Sequence, residues 1–235
     1  MKISYRYILF IWVALFSFFA CKEKKKPIQG KEYSGVFFGQ TYTISVIGDT
    51  IDYRPQIDSI LYTAEYAFNI ADTSSLISRF NRFKRTDSSF VFQDSSLFFG
   101  LVYSLAADLN AKTKQFYDPS TTPIKREWMI VNFTKKALEP NLDSLYQFVG
   151  FDPSKIDLNE VYTDDHRYVQ SNLRKSDPRT ELDFSTVATA YGLQCVADFF
   201  ASKGIAHYNI HCGNHTINHG ALIDSLTTVP LGISQ

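Results

Sequence analysis

The residues best suited to chemistry lie in the stretch DFSTVATAYG, where Asp183, Ser185 and Thr186 offer a carboxylate and two hydroxyls. Apolar residues then recur at the spacing of one helical face, which predicts a helix over about residues 187–203 that Gly204 ends. The three polar side chains therefore stand at a helix N-terminus, where free amides and the helix dipole favour a negatively charged partner. Two interpretations remain open, because such residues either cap the helix or contribute to a ligand site.

This predicted helix has one apolar face, and a strand follows it. The face expected to be buried comprises Ala188, Tyr191, Gly192, Cys195, Val196 and Phe199. The segment IAHYNIHC then predicts a strand whose inward-facing residues are Ile205, Tyr208, Ile210 and Cys212. We expect Cys195 and Cys212 to be buried as small apolar side chains, because their spacing matches no zinc site. The segment with His207, His211, His215 and His219 resembles strand and turn, which disfavours a helical metal-binding face.

The elements that must position these groups are a mixture of strands and helices. Residues 33–48 predict one or two strands around Gly39, and the prolines of FYDPSTTP cannot continue a helix. Helical periodicity is present over residues 54–71, 95–112 and 142–149; in the second of these, the repeating residues are Leu97, Leu101, Leu105 and Leu109. Because strands and helices do not alternate strictly, we expect an α+β fold of mixed sheets with packed helices.

The N-terminus has the pattern of an export signal. Lys2 and Arg6 precede an apolar run that is short for a membrane-spanning helix but suits a signal peptide over residues 1–20. Cys21 follows the small residue Ala20, which predicts lipidation of Cys21, although an ordinary cleaved signal or a short anchor would also fit. Residues 21–32 then form a charged tether, and residues 33–235 the domain. We therefore expect a lipid-anchored protein on the periplasmic side of a bacterial membrane.

The overall charge argues against a nucleic-acid partner. The 235 residues contain 24 basic and 24 acidic side chains, so the chain has no net field to attract a phosphate backbone. Apolar residues make up 45% of the sequence, which is enough for a globular core.

Several motifs, in this order, resemble the FAD:protein FMN transferases, the ApbE family. The segment SGVFFGQTYTISV resembles the opening strand of the family, SLISRFN a serine-rich motif, and FYDPSTTPI with the later Trp128 an aspartyl-proline turn. VGFDPSKIDL, DFSTVATAYG and KGIAHYNIHCGN complete the series. The resemblance extends from Tyr33 to Ile233 and implies an ApbE-like, T-fold-related architecture that is incomplete at the C-terminus.

The resemblance implies an activity. The family transfers the FMN half of FAD to a threonine hydroxyl of an acceptor protein and releases AMP, with Mg²⁺ as the expected metal because a pyrophosphate concentrates negative charge. It assigns six cofactor-binding positions, which are Phe38, Phe116, Tyr117, Asp118, Asp183 and Thr189. It also places Thr186 at a metal-binding position. An aromatic side chain in the aspartyl turn would stack on the flavin ring, and Phe38 would form an apolar wall.

The departures from the family pattern keep other functions open. Thr189 replaces a charged residue, Ala71 stands near the place of an aromatic, and CGN, residues 212–214, replaces a turn with two glycines. The family's second metal cluster and its catalytic His and Asp region fall beyond VPLGISQ, so the catalytic residues of this chain are unknown. The alternatives are a non-catalytic lipoprotein that binds flavin or a protein partner, and a periplasmic ligand-binding lipoprotein without flavin.

Overall fold

Strands and helices are mixed along the chain, which confirms the predicted α+β class. A computed structural model describes residues 30–94, 96–134, 142–162, 169–220, 222–223 and 228–229. The helices are α1 (Arg54–Phe68), α2 (Leu76–Arg82), α3 (Phe98–Lys112), α4 (Thr122–Thr134), α5 (Asp143–Tyr146) and α6 (Ser185–Ser202). The strands are β1 (Gly30–Phe37), β2 (Gln40–Ile47), β3 (Phe90–Gln93), β4 (Ile156–Tyr162), β5 (Val169–Lys175), β6 (Tyr208–Cys212), β7 (His215–His219), β8 (Leu222–Ile223) and β9 (Thr228–Val229).

The predicted signal peptide and Cys21 lie outside the described residues, as does all of the predicted tether before Gly30. The last three residues assigned to the tether, 30–32, belong to β1 and pair with β2. None of the helices in the described ranges is long and apolar enough to cross a bilayer.

The first sheet contains four antiparallel strands in the order β1-β2-β6-β7. Strands β1 and β2 form a hairpin that turns at Phe38 and Gly39, whose φ angles are 48° and 73°. Two consecutive positive φ angles give a turn whose twist matches that of the flanking strands, so the prediction of strands on both sides of Gly39 is confirmed. Strand β6 then pairs with β2, which brings the segment after α6 beside the hairpin.

The second sheet is also antiparallel, with the order β3-β5-β4. Strand β5 leads into a coil over residues 176–184 that contains no helix or strand and delivers the chain to α6. A separate two-stranded ribbon is formed by β8 and β9.

Helix α6 is the central helix and packs against α1 and α3. Its predicted bounds are confirmed to within two residues, and Gly204 follows it with a φ of 70°. The buried face differs from the prediction, because Tyr191, Cys195 and Phe199 are only partly buried. Residues omitted from the prediction are buried, namely Val187, Thr189, Leu193, Ala197 and Phe200. Because α6 is covered on two sides, a single amphipathic face understates its burial.

The start of α6 is anchored by aromatic rings. The ring of Phe184 is fully buried and lies 5.5 Å from Phe68, 6.0 Å from Tyr103 and 5.7 Å from Phe151, measured between ring centroids. These partners come from α1, from α3 and from the loop before β4. Removing such a ring by substitution with Ala costs about 3–5 kcal/mol, so this cluster fixes where α6 begins.

The leucine repeat correctly predicted helix α3 but lies on its exposed side. Leu97, Leu101, Leu105 and Leu109 are 37–47% exposed, whereas Phe98, Phe99, Val102 and Ala106 are buried. A repeat of four residues follows a helical face on either side of a helix, so the pattern could not decide which side packs.

The proline-containing stretch after α3 ends one helix and begins another. Pro123 lies at the second residue of α4, where the missing amide hydrogen breaks no helical hydrogen bond. No helix was predicted from the sequence over the residues of α4.

Helix α6 packs closely against the hairpin at Gly192. A Cβ atom at this position would lie 2.8 Å from the ring of Phe37 and 3.4 Å from Ala64 Cβ. Ala is favoured over Gly in a helix by about 1 kcal/mol, but overpacking costs typically 1–3 kcal/mol. We therefore expect Gly192→Ala to lower the free energy of unfolding in urea denaturation.

The matched control is Ala190→Gly on the exposed side of the same helix, which measures the propensity difference without a clash. The contradicting result would be a free energy of unfolding that rises in Gly192→Ala by as much as it falls in Ala190→Gly. In that case the tight contact with Phe37 would not exist in solution.

Candidate functional site

The head of α6 is built around the carboxylate of Asp183. Asp183 Oδ1 accepts hydrogen bonds from Ser185 N at 3.0 Å and from Ser185 Oγ at 2.6 Å, so one oxygen binds the free amide of the first residue of α6, while the N-cap residue Phe184 makes no side-chain capping bond. The other oxygen, Oδ2, lies 3.4 Å from Lys125 Nζ of α4, and only 12% of the Asp183 side chain is exposed. The helix terminus therefore accounts for one oxygen, and among the described residues the second contacts the largely exposed ammonium group of Lys125.

The aspartyl turn is held by the carboxylate of Asp118. Asp118 Oδ1 accepts from Ser120 N at 2.7 Å and from Ser120 Oγ at 2.6 Å, and Oδ2 accepts from Phe151 N at 3.3 Å. Ser120 Oγ in turn accepts from Gly150 N at 2.7 Å. Asp118 therefore fixes the turn and ties it to the VGF segment, since both its oxygens bind within the protein.

The helix head and the aspartyl turn meet directly. Asp183 N donates to Pro119 O at 2.8 Å, a contact between residues far apart in sequence. Tyr117 lies near both carboxylates: its burial raises the pKa of the phenol, and the negative charges of Asp183 and Asp118 raise it further. The two segments predicted to form the site are therefore in direct contact.

Two hydroxyls at this junction lack partners. Tyr117 Oη and Thr122 Oγ1 are buried and make no hydrogen bond to the residues that the structure describes. A buried hydroxyl without a partner costs about 1–3 kcal/mol, so both groups are candidates for a hydrogen bond to a bound water or polar ligand. Tyr117 was predicted from the sequence as a cofactor-binding residue, but no role was predicted for its hydroxyl, and Thr122 was not predicted at all.

A cavity of about 210 Å³ lies beside the first turn of α6 and brings three of the predicted positions together. The residues that line it are Phe38, Gln40, Ser185, Thr186, Thr189, Asn214 and His215. They come from the hairpin, from α6 and from the turn between β6 and β7. Thr189 is 1% exposed, and its hydroxyl donates to Ser185 O at 2.7 Å, so it supports the first turn of α6.

The backbone at two turns shapes this cavity. Phe38 has a φ of 48°, and its amide donates to Glu65 Oε1 at 2.8 Å, which holds a strained non-glycine residue in place. Gly213 has a φ of 56°, and a Cβ atom there would lie 1.5 Å from Gln40 Oε1. Gly213 therefore makes room for Gln40, a lining residue that was not predicted from the sequence.

The remaining predicted positions do not line this cavity. Phe116 is 95% exposed, and Tyr117 and Asp118 lie in the adjoining turn. A second cavity, of about 550 Å³, borders that turn, because Asn110 lines it and donates from Nδ2 to Tyr117 O at 2.7 Å. Tyr103, Lys114, Gln115 and Phe151 also line it, and none of them was predicted as a site residue.

The side-chain oxygens that line the smaller cavity carry no charge. Thr186 lies in the smaller cavity with Asn214 and Gln40, none of which is a carboxylate. Mg²⁺ in proteins is held by one or two carboxylates together with substrate phosphates, so these residues do not complete a magnesium site by themselves. Across the described ranges, no three His, Cys, Asp or Glu side chains gather as metal ligands. In the β6–β7 ribbon, His215 pairs with Cys212, and His211 Nδ1 lies 3.0 Å from Thr216 Oγ1.

Known proteins share both sequence and fold with this chain. The model of the ApbE family matches residues 38–232. An FAD:protein FMN transferase of Vibrio cholerae is 26% identical over 207 residues, which cover 86% of this chain and 58% of that protein. One of Haemophilus influenzae is 23% identical over 214 residues, 87% of this chain and 58% of that protein. The chain therefore spans less than two thirds of the length of these relatives.

Solved structures agree at the level of the fold. The flavin transferase ApbE from Vibrio cholerae superimposes with a TM-score of 0.66 at 23% identity, covering 83% of this chain and 60% of that one. The apo form of the flavinyl transferase ApbE from Pseudomonas stutzeri gives 0.64 at 16% identity, with 82% and 62% covered. Since the family match includes most of the sequence and both segments of the site, the chain belongs to the ApbE family.

Proposed function

We propose that this chain acts as an FAD:protein FMN transferase. The observation that carries the proposal is the junction of the α6 head with the aspartyl turn, where Asp183 N donates to Pro119 O at 2.8 Å. The junction adjoins two buried hydroxyls, those of Tyr117 and Thr122, that have no hydrogen-bond partner in the part of the chain that the structure describes. The relatives of this chain that carry the name FAD:protein FMN transferase support the assignment of the reaction.

The proposed reaction is a phosphoryl-group transfer. A threonine oxygen of the acceptor protein forms a bond to the phosphorus of the FMN half, and the pyrophosphate bond to the AMP half breaks. The threonine proton leaves with the AMP product, so atoms and charge balance. Most of the catalysis of such a transfer comes from positioning and charge stabilisation, which a preformed junction of two rigid segments would supply.

The proposed roles follow the geometry of each segment. Asp183 Oδ2, which is not used in capping, would bind FAD, and Phe38, Thr186 and Thr189 would border the ligand in the smaller cavity. Tyr117 and Asp118 would form the adjoining wall, and exposed Phe116 would stack on an aromatic ring of the ligand. The catalytic residues stay unassigned.

Magnesium is part of the proposal. Thr186 would contribute an oxygen ligand, and the phosphates of FAD would contribute the negative charge that the cavity lining lacks. The ion would neutralise charge on the pyrophosphate.

A transfer assay tests the proposal. We expect purified protein, incubated with FAD, Mg²⁺ and a threonine-containing acceptor domain, to leave a fluorescent flavin band on the acceptor in a denaturing gel. Omitting the acceptor or chelating Mg²⁺ should abolish the band. Intact FAD binding without any band would contradict the transferase and favour a non-catalytic flavin-binding protein of the same fold.

Substitution of Asp183 tests the location of the FAD site. Asp183→Asn keeps a side-chain oxygen for the cap on Ser185 but removes the charge, so we expect FAD affinity to fall roughly tenfold to a hundredfold. Quenching of flavin fluorescence measures the dissociation constant. The matched control is Asp177→Asn, because Asp177 also accepts from the amide two residues later, that of Arg179, at 2.8 Å. Equal affinities for both variants would remove Asp183 from the site.

The location of the protein is the last part of the proposal. We propose that Cys21 carries a lipid that anchors the chain on the periplasmic side of a bacterial membrane, as its position after Ala20 predicts. Cys21→Ser should move the protein from the membrane fraction to the soluble fraction after cell fractionation. Retention of the variant in the membrane fraction would contradict lipidation at this residue.

A further inference from the structure

The coil that carries Asp183 is held in place by side chains from other elements. Residues 176–184 lack the regular hydrogen bonds of a helix or sheet, and yet Leu182 is fully buried and Asp183 occupies the junction. The position of Asp183 therefore depends on whichever groups bind the main chain of this coil.

Asn81, the last residue of the SLISRFN motif, binds that main chain at both of its polar groups. Its Nδ2 donates to Leu182 O at 2.9 Å, and its Oδ1 accepts from Leu182 N at 2.8 Å. A side-chain amide that pairs with both groups of one residue replaces the neighbouring strand that the coil does not have. The contact joins residues 101 positions apart in the sequence.

Asn81 is itself held firmly by a buried lysine. Lys175, only 1% exposed, donates from Nζ to Phe80 O at 3.1 Å, to Asn81 O at 3.4 Å and to Thr180 O at 3.0 Å. The three donors of the ammonium group thus connect the end of α2, the end of β5 and the coil. The hydrogen bonds of Asn81 and Lys175 therefore fix the main chain at Leu182. Because Asp183 is the next residue, its position is fixed as well.

We propose that Asn81 is a positioning residue for the site: its side-chain amide fixes the Leu182 main chain and thereby the place of the Asp183 carboxylate. Asn81 would not touch FAD. This inference rests on the proposed function, because it states what holds the residue expected to bind FAD. If Asn81 serves stability alone, its loss should resemble the loss of any other pair of partly buried hydrogen bonds to the main chain.

Tyr33 supplies the matched comparison. Its buried hydroxyl also binds main chain at two points, donating to Ile51 O at 3.1 Å and accepting from Tyr53 N at 3.0 Å. These contacts lie in the four-stranded sheet and the loop before α1, and none of the three residues lines either cavity. Tyr33→Phe and Asn81→Leu therefore each remove two side-chain hydrogen bonds to the main chain, all of them at least partly buried.

The experiment compares both variants with the parent chain by thermal unfolding, FAD titration and amide hydrogen exchange. We expect both to lower the midpoint of unfolding, and only Asn81→Leu to weaken FAD binding, by roughly tenfold, because a displaced carboxylate loses its geometry. Exchange at Leu182 and Asp183 should accelerate in Asn81→Leu alone. If Asn81→Leu does not fold, Asn81→Asp replaces it, since the aspartate keeps the acceptor for Leu182 N–H and loses only the donor.

Each of the other outcomes decides whether Asn81 positions Asp183 or whether the proposed function holds. If Asn81→Leu speeds exchange at Leu182 but leaves FAD affinity unchanged, the role of Asn81 in the site is overturned. If Asn81→Leu leaves exchange at Leu182 unchanged, the role of Asn81 in positioning is overturned as well. An equal loss of affinity in Tyr33→Phe would also overturn it, because the effect would then follow stability. If the parent chain binds no FAD, the proposed function fails. Faster exchange confined to Leu182 and Asp183 would in that case still assign to Asn81 the positioning of Asp183.

Discussion

The burial of Phe184 is the constraint on which the rest of the site depends. Its ring packs among Phe68, Tyr103 and Phe151, so the chain must enter α6 at one place and in one direction. The residues on either side, Asp183 and Ser185, consequently project from a fixed backbone at the surface of the aromatic core. Asp183 and Ser185, which form a pair common at helix starts, are thereby held against the aspartyl turn. That turn is bound to the same core through Phe151.

Polar groups around this anchor divide into those that hold the structure and those left for a ligand. Asp118 uses both of its oxygens for hydrogen bonds to main-chain amides, whereas Asp183 uses one in this way and its Oδ2 contacts the exposed Lys125 Nζ at 3.4 Å. The hydroxyls of Tyr117 and Thr122 have no partners among the described residues. Because an unpaired buried polar group is costly, we expect these two hydroxyls to gain a partner when water or a ligand binds.

Strongly periodic elements could be predicted from the sequence, and so could the α+β class. Helix α6, the hairpin around Gly39 and the inward face of β6 depend on local patterns of two or about four residues, which the sequence displays directly. The side of α3 that packs could not be predicted, because the leucine repeat is equally regular on an exposed face. Likewise α4 was missed, since prolines near a helix start and after a helix end look alike.

The sequence by itself determined the residue types of the site and, through its motifs, the family. The tertiary structure alone decided which of those residues meet. It placed Thr186, Thr189 and Phe38 at one cavity, left Phe116 exposed, and added Gln40 and Asn214. It also assigned Asn81 to Leu182 across 101 positions of sequence. The physical reason is that such contacts arise from the packing of distant segments around a shared core, and that packing leaves no periodic trace in the chain.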